Sequence, residues 1–112
     1  MSTTTQTHLM TAEELLSLND WSHRYELIKG ELLTMSPPGD LHGSATMNLT
    51  LRLGNYISRN KLGIVVPEIG FKLEINPDTV LAPDIAFIAR DRVGERVPGY
   101  RLGPPDLAVE VM

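Results

Sequence analysis

Two acidic residues stand inside apolar segments that have the composition of buried strands. Asp84 lies within Leu81–Ile88 and Glu110 within Leu107–Met112. Burying an unpaired carboxylate is costly, so each acid requires a cation, a metal ion or a proton as its partner. If the two strands lie side by side, the carboxylates form a site of hard oxygen ligands, which suits Mg²⁺ or Mn²⁺. An ion held there polarises a phosphoryl oxygen and activates water, so the pattern favours hydrolytic chemistry.

A structural interpretation competes with this one. In it, each acid lies at a strand end or pairs with an arginine of the segment 90–101, which is also a candidate for contacts with a phosphate backbone. Asp106 shares a face of the last strand with Glu110, because side chains two residues apart point the same way. It is therefore an accessory candidate, although its place after two prolines also suits a solvated loop acid. Because two acids share one context, we favour the metal site.

Composition limits the classes of function. The chain has 112 residues, a formal net charge of −4 and no cysteine. This excludes disulfides and thiol chemistry, and it gives no basic surface for tight, nonspecific nucleic-acid binding. No apolar run is long enough to span a bilayer, and residues 1–8 lack the features of a signal peptide. We expect a cytoplasmic protein with a loose tail over residues 1–8 and a single domain over 9–112.

Periodicity predicts the elements that must position the acids. Thr11 and Glu14 form a capping box that predicts a short helix, and the spacing of apolar residues predicts a long amphipathic helix over 42–60. A hairpin of strands over 24–28 and 31–35 lies between them. Further strands are predicted over 64–69, 71–75, 80–89 and 107–112, with an irregular connection over 90–105. This order indicates an α+β fold around a mixed sheet.

Five short segments recur in a recognisable order. They are Tyr25–Glu31 (Y-E-L-I-K-G-E), Met35–Pro38 (M-S-P-P), His42-Gly43, Ala82–Ile88 (A-P-D-I-A-F-I) and Pro105–Val111 (P-D-L-A-V-E-V).

Together these segments resemble the Uma-type restriction endonuclease family, which is similar to the PD-(D/E)XK nuclease superfamily, from about residue 11 to the last residue. The resemblance implies a restriction-endonuclease-like mixed sheet with flanking helices. It implies that Asp84 and Glu110 ligate Mg²⁺ or Mn²⁺ and that DNA is the substrate. It also makes Glu31, in preference to Glu26, the early acid that joins the catalytic set. A solvated strand face is the alternative for Glu31.

The sequence departs from the superfamily pattern at its end. Met112 stands where the superfamily has a catalytic lysine, and the family domain normally continues past this strand, so the fold is expected to be incomplete at its C-terminus. Lys72 is a candidate replacement, although its alternation with Glu74 also fits an exposed face. His42 begins the long helix, where an imidazole meets a phosphate, orients a ligand or caps the helix. Two functions stay open: a DNA endonuclease, or an inactive nuclease-like module that binds DNA or protein or forms a homodimer.

Overall fold

The computed structural model describes residues 9–18 and 24–112, so the predicted tail over 1–8 lies outside the described residues. These residues form an α+β fold, as the sequence predicts. The helices are α1 (Ala12–Leu16), α2 (Asp40–Arg59) and α3 (Arg90–Val93). The strands are β1 (Arg24–Ile28), β2 (Glu31–Met35), β3 (Gly63–Pro67), β4 (Phe71–Glu74), β5 (Thr79–Leu81), β6 (Ile85–Ala89), β7 (Arg101–Leu102) and β8 (Leu107–Val109).

The strands are divided between two sheets, where the sequence analysis expected one. The larger sheet has the order β2-β1-β5-β4-β7 and is mixed, because β4 and β7 run parallel while its other neighbours are antiparallel. The smaller sheet has the order β3-β6-β8 and is antiparallel throughout. The segment 90–105, expected to be irregular, contributes both α3 and β7.

The chain changes sheets over residues 82–84. The sequence predicts one strand over 80–89, but the structure divides it into β5 of the larger sheet and β6 of the smaller one. Pro83 has no N–H to donate to a ladder, and it also restricts the backbone of Ala82. The chain therefore leaves one sheet at Leu81 and enters the other at Ile85. We call residues 82–84 the crossover segment.

Two groups of buried side chains form the core. Leu27 and Val80 of the larger sheet pack with Ala12 and Leu15 of α1. The second group contains Phe71 of the larger sheet together with residues of the smaller one, so it joins the two sheets. Its buried members are Val66, Phe71, Ala86 and Ile88.

The short helix α1 begins at the predicted capping box. The Thr11 hydroxyl accepts a hydrogen bond from the N–H of Glu14, and the Glu14 carboxylate accepts one from the N–H of Thr11. The N–H of Ala12 donates to Oδ2 of Asp78 at 2.7 Å. The first backbone N–H groups of a helix have no partner within it. The long-range bond to Asp78 satisfies one of them and ties α1 to the turn before β5.

The long helix α2 is close to its predicted bounds. It begins at Asp40, after the N-cap Gly39, which makes no side-chain capping hydrogen bond. Much of the predicted apolar face is open to solvent, since Ile57 is buried while Tyr56 is 62% exposed. Among the described residues, no helix combines the length and apolar character needed to cross a bilayer.

Candidate functional site

Asp84 ends the crossover segment and is almost fully buried, with 3% of its surface exposed. Its Oδ2 accepts a hydrogen bond of 2.7 Å from the N–H of Val111. Its Oδ1 lies 3.3 Å from Nε2 of His42 and 3.5 Å from Nη1 of Arg24. One oxygen is therefore held tightly, while the other has contacts longer than the roughly 2.7–2.9 Å of a close charge-assisted bond.

The pairing of β6 with β8 brings Glu110 to Asp84. Ile85 lies opposite Val109 in this antiparallel pair, so the next pair in register is Asp84 and Glu110. Oε1 of Glu110 accepts a hydrogen bond of 3.0 Å from the N–H of Asp84. Each strand thus donates an N–H to the carboxylate carried by the other, an arrangement we call the reciprocal clamp. The structure brings together the two acids singled out in the sequence, and their catalytic role stays a prediction.

Two side chains of β1 hold the crossover segment. Oε2 of Glu26 accepts a hydrogen bond of 2.8 Å from the N–H of Ala82, and Nη2 of Arg24 lies 3.4 Å from the carbonyl oxygen of Ala82. Arg24 and Glu26 are two residues apart on a strand and so share one face. Side-chain bonds therefore replace ladder bonds where the chain leaves the larger sheet.

Two further residues complete the surroundings of Asp84. His42 lies in the first turn of α2, which directs its imidazole at Oδ1 of Asp84. Glu68 follows β3, and its Oε2 lies 3.6 Å from Nε of Arg24. We call this group the Asp84 cluster, and its members are Arg24, Glu26, His42, Glu68, Asp84 and Glu110.

The cluster keeps Asp84 ionised. Burial on its own raises the pKa of Asp84. The hydrogen bond from the Val111 N–H and the neighbouring side chains of His42 and Arg24 together outweigh burial, so this pKa lies below its usual range. Asp84 is therefore a hydrogen-bond acceptor at neutral pH.

The donor chemistry of the cluster fits a divalent cation. The cluster contains four carboxylates, one guanidinium and one imidazole, so negative charge is in excess whichever form the imidazole takes. Carboxylate oxygens are the preferred ligands of Mg²⁺ and Mn²⁺. Across residues 9–18 and 24–112, no three acidic or histidine side chains already converge in a metal-ligating arrangement. Asp84 and Glu110 are the residues that would hold the ion, and Arg24 is the positive group next to Asp84.

One side of Glu110 is bounded by apolar surface. A cavity of about 150 Å³ opens there between β4, the crossover segment and β8, and its lining includes Phe71, Leu81, Pro83 and Pro105. The approach to Glu110 is thus apolar on this side and acidic on the side of Asp84.

The structure does not bring Glu31 into the cluster. The β1–β2 register places Glu31 opposite Ile28 at the turn, whereas Arg24 lies opposite Met35 at the other end of the hairpin. The hairpin acid that reaches the cluster is Glu26, whereas the family resemblance favours Glu31. The sequence pattern that indicates Glu26 and Arg24 is their alternation with buried Leu27, which puts the two side chains on one face of β1.

Two other candidates also lie elsewhere. Nζ of Lys72 is 3.5 Å from Glu13 and 3.8 Å from Asp78, which places this amine beside α1 and away from Asp84. Asp106 lies at the opposite end of β8 from Glu110, where it accepts the N–H of Ala89 and pairs with Arg92 at 2.8 Å. These contacts give both residues structural roles, and neither supplies a lysine or an acid to the cluster.

A solved structure has the same fold. It is described as "a putative nuclease belonging to DUF820" from Anabaena variabilis ATCC 29413, and it superposes with a TM-score of 0.72 at 18% sequence identity. The match covers 90% of this chain and 57% of the solved chain, so this sequence spans little more than half the length of that relative. No protein of curated function matches the chain.

A family model matches the sequence itself. The match extends over residues 12–112 and therefore includes α1, both sheets and every member of the Asp84 cluster. The chain belongs to the Uma2 family, described as "Putative restriction endonuclease".

Proposed function

We propose that the protein is a metal-dependent endonuclease that hydrolyses DNA phosphodiester bonds at the Asp84 cluster. The observation that carries the proposal is the reciprocal clamp, which ties each of two carboxylates to the backbone beside the other in a cluster with excess negative charge. Family membership and the likeness to a solved nuclease-like protein support the reaction class. A nuclease with an acidic chain requires such a site, because a bound cation offsets the repulsion between its carboxylates and the phosphate.

The residues of the cluster have separate roles in this proposal. Asp84 and Glu110 hold Mg²⁺ or Mn²⁺, and Glu26 fixes the crossover segment on which Asp84 is carried. His42 approaches Oδ1 of Asp84 from α2 and so orients this carboxylate. A bound divalent ion polarises a phosphoryl oxygen and lowers the pKa of a bound water. Lys72 has no role in this proposal, because its amine pairs with Glu13 and Asp78.

Nicking of supercoiled plasmid DNA tests the proposal. We expect cleavage that requires Mg²⁺ or Mn²⁺ and is abolished by a chelator. Asp84→Asn and Glu110→Gln should each reduce the rate about a hundredfold or more, since loss of several kcal/mol of charge stabilisation has an effect of this size. Asp106→Asn is the matched control, because Asp106 is an acid of the same sheet outside the cluster. Undiminished nicking in the Asp84 or Glu110 variant would contradict the assignment.

A second function is favoured by the open surfaces of the molecule. β8 is an edge strand of its sheet, and α2 exposes Leu41, Met47 and Leu51. Open strand edges and apolar patches favour association, so a module that binds DNA or protein, or pairs with itself, is the alternative. Calorimetric titration with Mn²⁺ and light scattering separate the two. The module is favoured if the protein forms a concentration-dependent dimer and shows no Mn²⁺ binding that is lost in an Asp84 variant.

A further inference from the structure

Arg24 places a positive charge among the carboxylates of the Asp84 cluster. Its guanidinium lies 3.5 Å from Oδ1 of Asp84 and 3.6 Å from Oε2 of Glu68. Only 24% of its side chain is exposed. We propose that Arg24 is the resident counter-cation of the metal-free site and that a divalent ion must displace it from Asp84 to bind. This inference rests on the proposed function, because it concerns how the same two acids acquire their metal.

The contacts of Asp84 are unequal in a way that permits this exchange. Its Oδ2 accepts the 2.7 Å bond from Val111, which fixes the position of the carboxylate. The contact of Oδ1 with Arg24 is longer than the roughly 2.7–2.9 Å of a close guanidinium–carboxylate bond. Oδ1 also contacts Nε2 of His42, at 3.3 Å, so neither of its two partners lies at close hydrogen-bond distance. Oδ1 is therefore the oxygen that is more open to a metal ion.

Arg24 keeps other partners when it leaves Asp84. Its Nη2 lies 3.4 Å from the carbonyl oxygen of Ala82, and its Nε faces Glu68, whose side chain is 47% exposed. A rotation of the guanidinium toward Glu68 removes its contact with Oδ1 without leaving the positive charge unpaired, and His42 is then the side chain that still contacts this oxygen. The long side chain of arginine permits this movement, while the backbone of β1 stays in its ladder.

If a metal ion displaces Arg24, removing the arginine changes the affinity for the metal in a defined direction. A positive charge beside the ligating carboxylate opposes a second positive charge, so removing it should tighten metal binding by about tenfold or more. A purely structural role for Arg24 gives the opposite sign, because a disordered crossover segment would separate Asp84 from Glu110 and weaken binding. The direction of the change therefore distinguishes the two roles.

Mn²⁺ binding to the full chain tests the inference, with calorimetry and electron paramagnetic resonance of free Mn²⁺ as readouts that need no activity. We expect Arg24→Gln to bind Mn²⁺ about tenfold or more tightly than the unchanged protein. Arg24→Lys keeps the charge and should stay within about threefold of it. In the presence of a chelator, Arg24→Gln should unfold at a lower temperature, and added Mn²⁺ should raise its unfolding temperature more than that of the unchanged protein.

Arg92→Gln is the matched control. Arg92 also pairs with an acid, at 2.8 Å, but that acid is Asp106, outside the cluster. This variant should leave the affinity for Mn²⁺ unchanged. Unchanged or weaker binding in a folded Arg24→Gln protein, or tighter binding in Arg24→Lys as well, would overturn the inference. If the unchanged protein itself binds no Mn²⁺, the proposed function fails instead, so the two failures are distinguishable.

Discussion

Asp84 and Glu110 depend on each other for their positions. Each carboxylate is fixed by an N–H of the other's strand, at 2.7 Å from Val111 and 3.0 Å from Asp84. A substitution at either acid therefore removes a proposed metal ligand and one side-chain bond between the two segments, while the backbone N–H that holds the other carboxylate stays in place. At this scale the site is a coupled pair of residues, and we expect the effects of the two substitutions on metal binding to be non-additive.

A second buried acid, Asp78, makes stability depend on pH. The N–H groups of Ala12 and Asn76 donate to its carboxylate and hold its pKa below the usual range. Because the folded pKa lies below the unfolded value of about 3.9, this carboxylate stabilises the fold fully above that pH. The contribution is lost as the pH falls further, through the lower folded pKa.

We therefore expect Asp78→Asn to flatten the loss of unfolding free energy that occurs below about pH 4. Urea unfolding, followed by circular dichroism at a series of pH values, measures the free energy of unfolding at each pH. Asp91→Asn, at an exposed position in α3, serves as the matched control. A variant at Asp78 with the same pH profile as the unchanged protein would show that this carboxylate is not the source of the acid sensitivity.

Single elements follow local rules, and the sequence predicted most of them. The capping box at Thr11, the β1–β2 hairpin and the helix α2 all depend on residues close together in the chain, so their patterns are visible without a structure. The sequence does not show the division of the strand over 80–89, because only pairing with distant strands reveals that β5 and β6 belong to different sheets. It does not single out Glu26 for the same reason, since the partner of Glu26 at Ala82 is defined by tertiary structure.

The capping box permits a test of one element alone. Thr11→Ala removes the hydroxyl that accepts the N–H of Glu14, and we expect a loss of about 0.5–2 kcal/mol in the free energy of unfolding. Thr11→Ser retains the hydroxyl and should keep most of this free energy. Urea denaturation of the two variants beside the unchanged protein provides the measurement. Equal losses in both would mean that the threonine methyl group, and not the cap, stabilises α1.

At the scale of the whole molecule, the two sheets are joined by the chain and by the core. The crossover segment connects them covalently, and Phe71 of β4 packs with Val66, Ala86 and Ile88 of the smaller sheet. The α+β class was predictable from the order of elements, but the number of sheets was not. Asp84 lies at the junction, so the integrity of the candidate site depends on both sheets being folded.

The shared core predicts a single unfolding transition. Phe71 is 1% exposed, and Phe71→Ala should lower the free energy of unfolding by about 3–5 kcal/mol while the transition stays cooperative. Leu102→Ala on the neighbouring strand β7 is the control, because Leu102 is 76% exposed and its loss should change stability by less than about 0.5 kcal/mol. Two separate transitions by circular dichroism in the Phe71 variant would show that the sheets fold independently.

The reciprocal clamp also gives the molecule a pair of magnetic-resonance signals that sense its site. The amide protons of Asp84 and Val111 each donate to a carboxylate oxygen, so their chemical shifts depend on the charge those oxygens carry. A cation that binds to both carboxylates draws electron density out of both hydrogen bonds and shifts both signals together. Occupancy of the site can thus be followed at two identified amides in a proton–nitrogen correlation spectrum, without a chromophore or a labelled substrate.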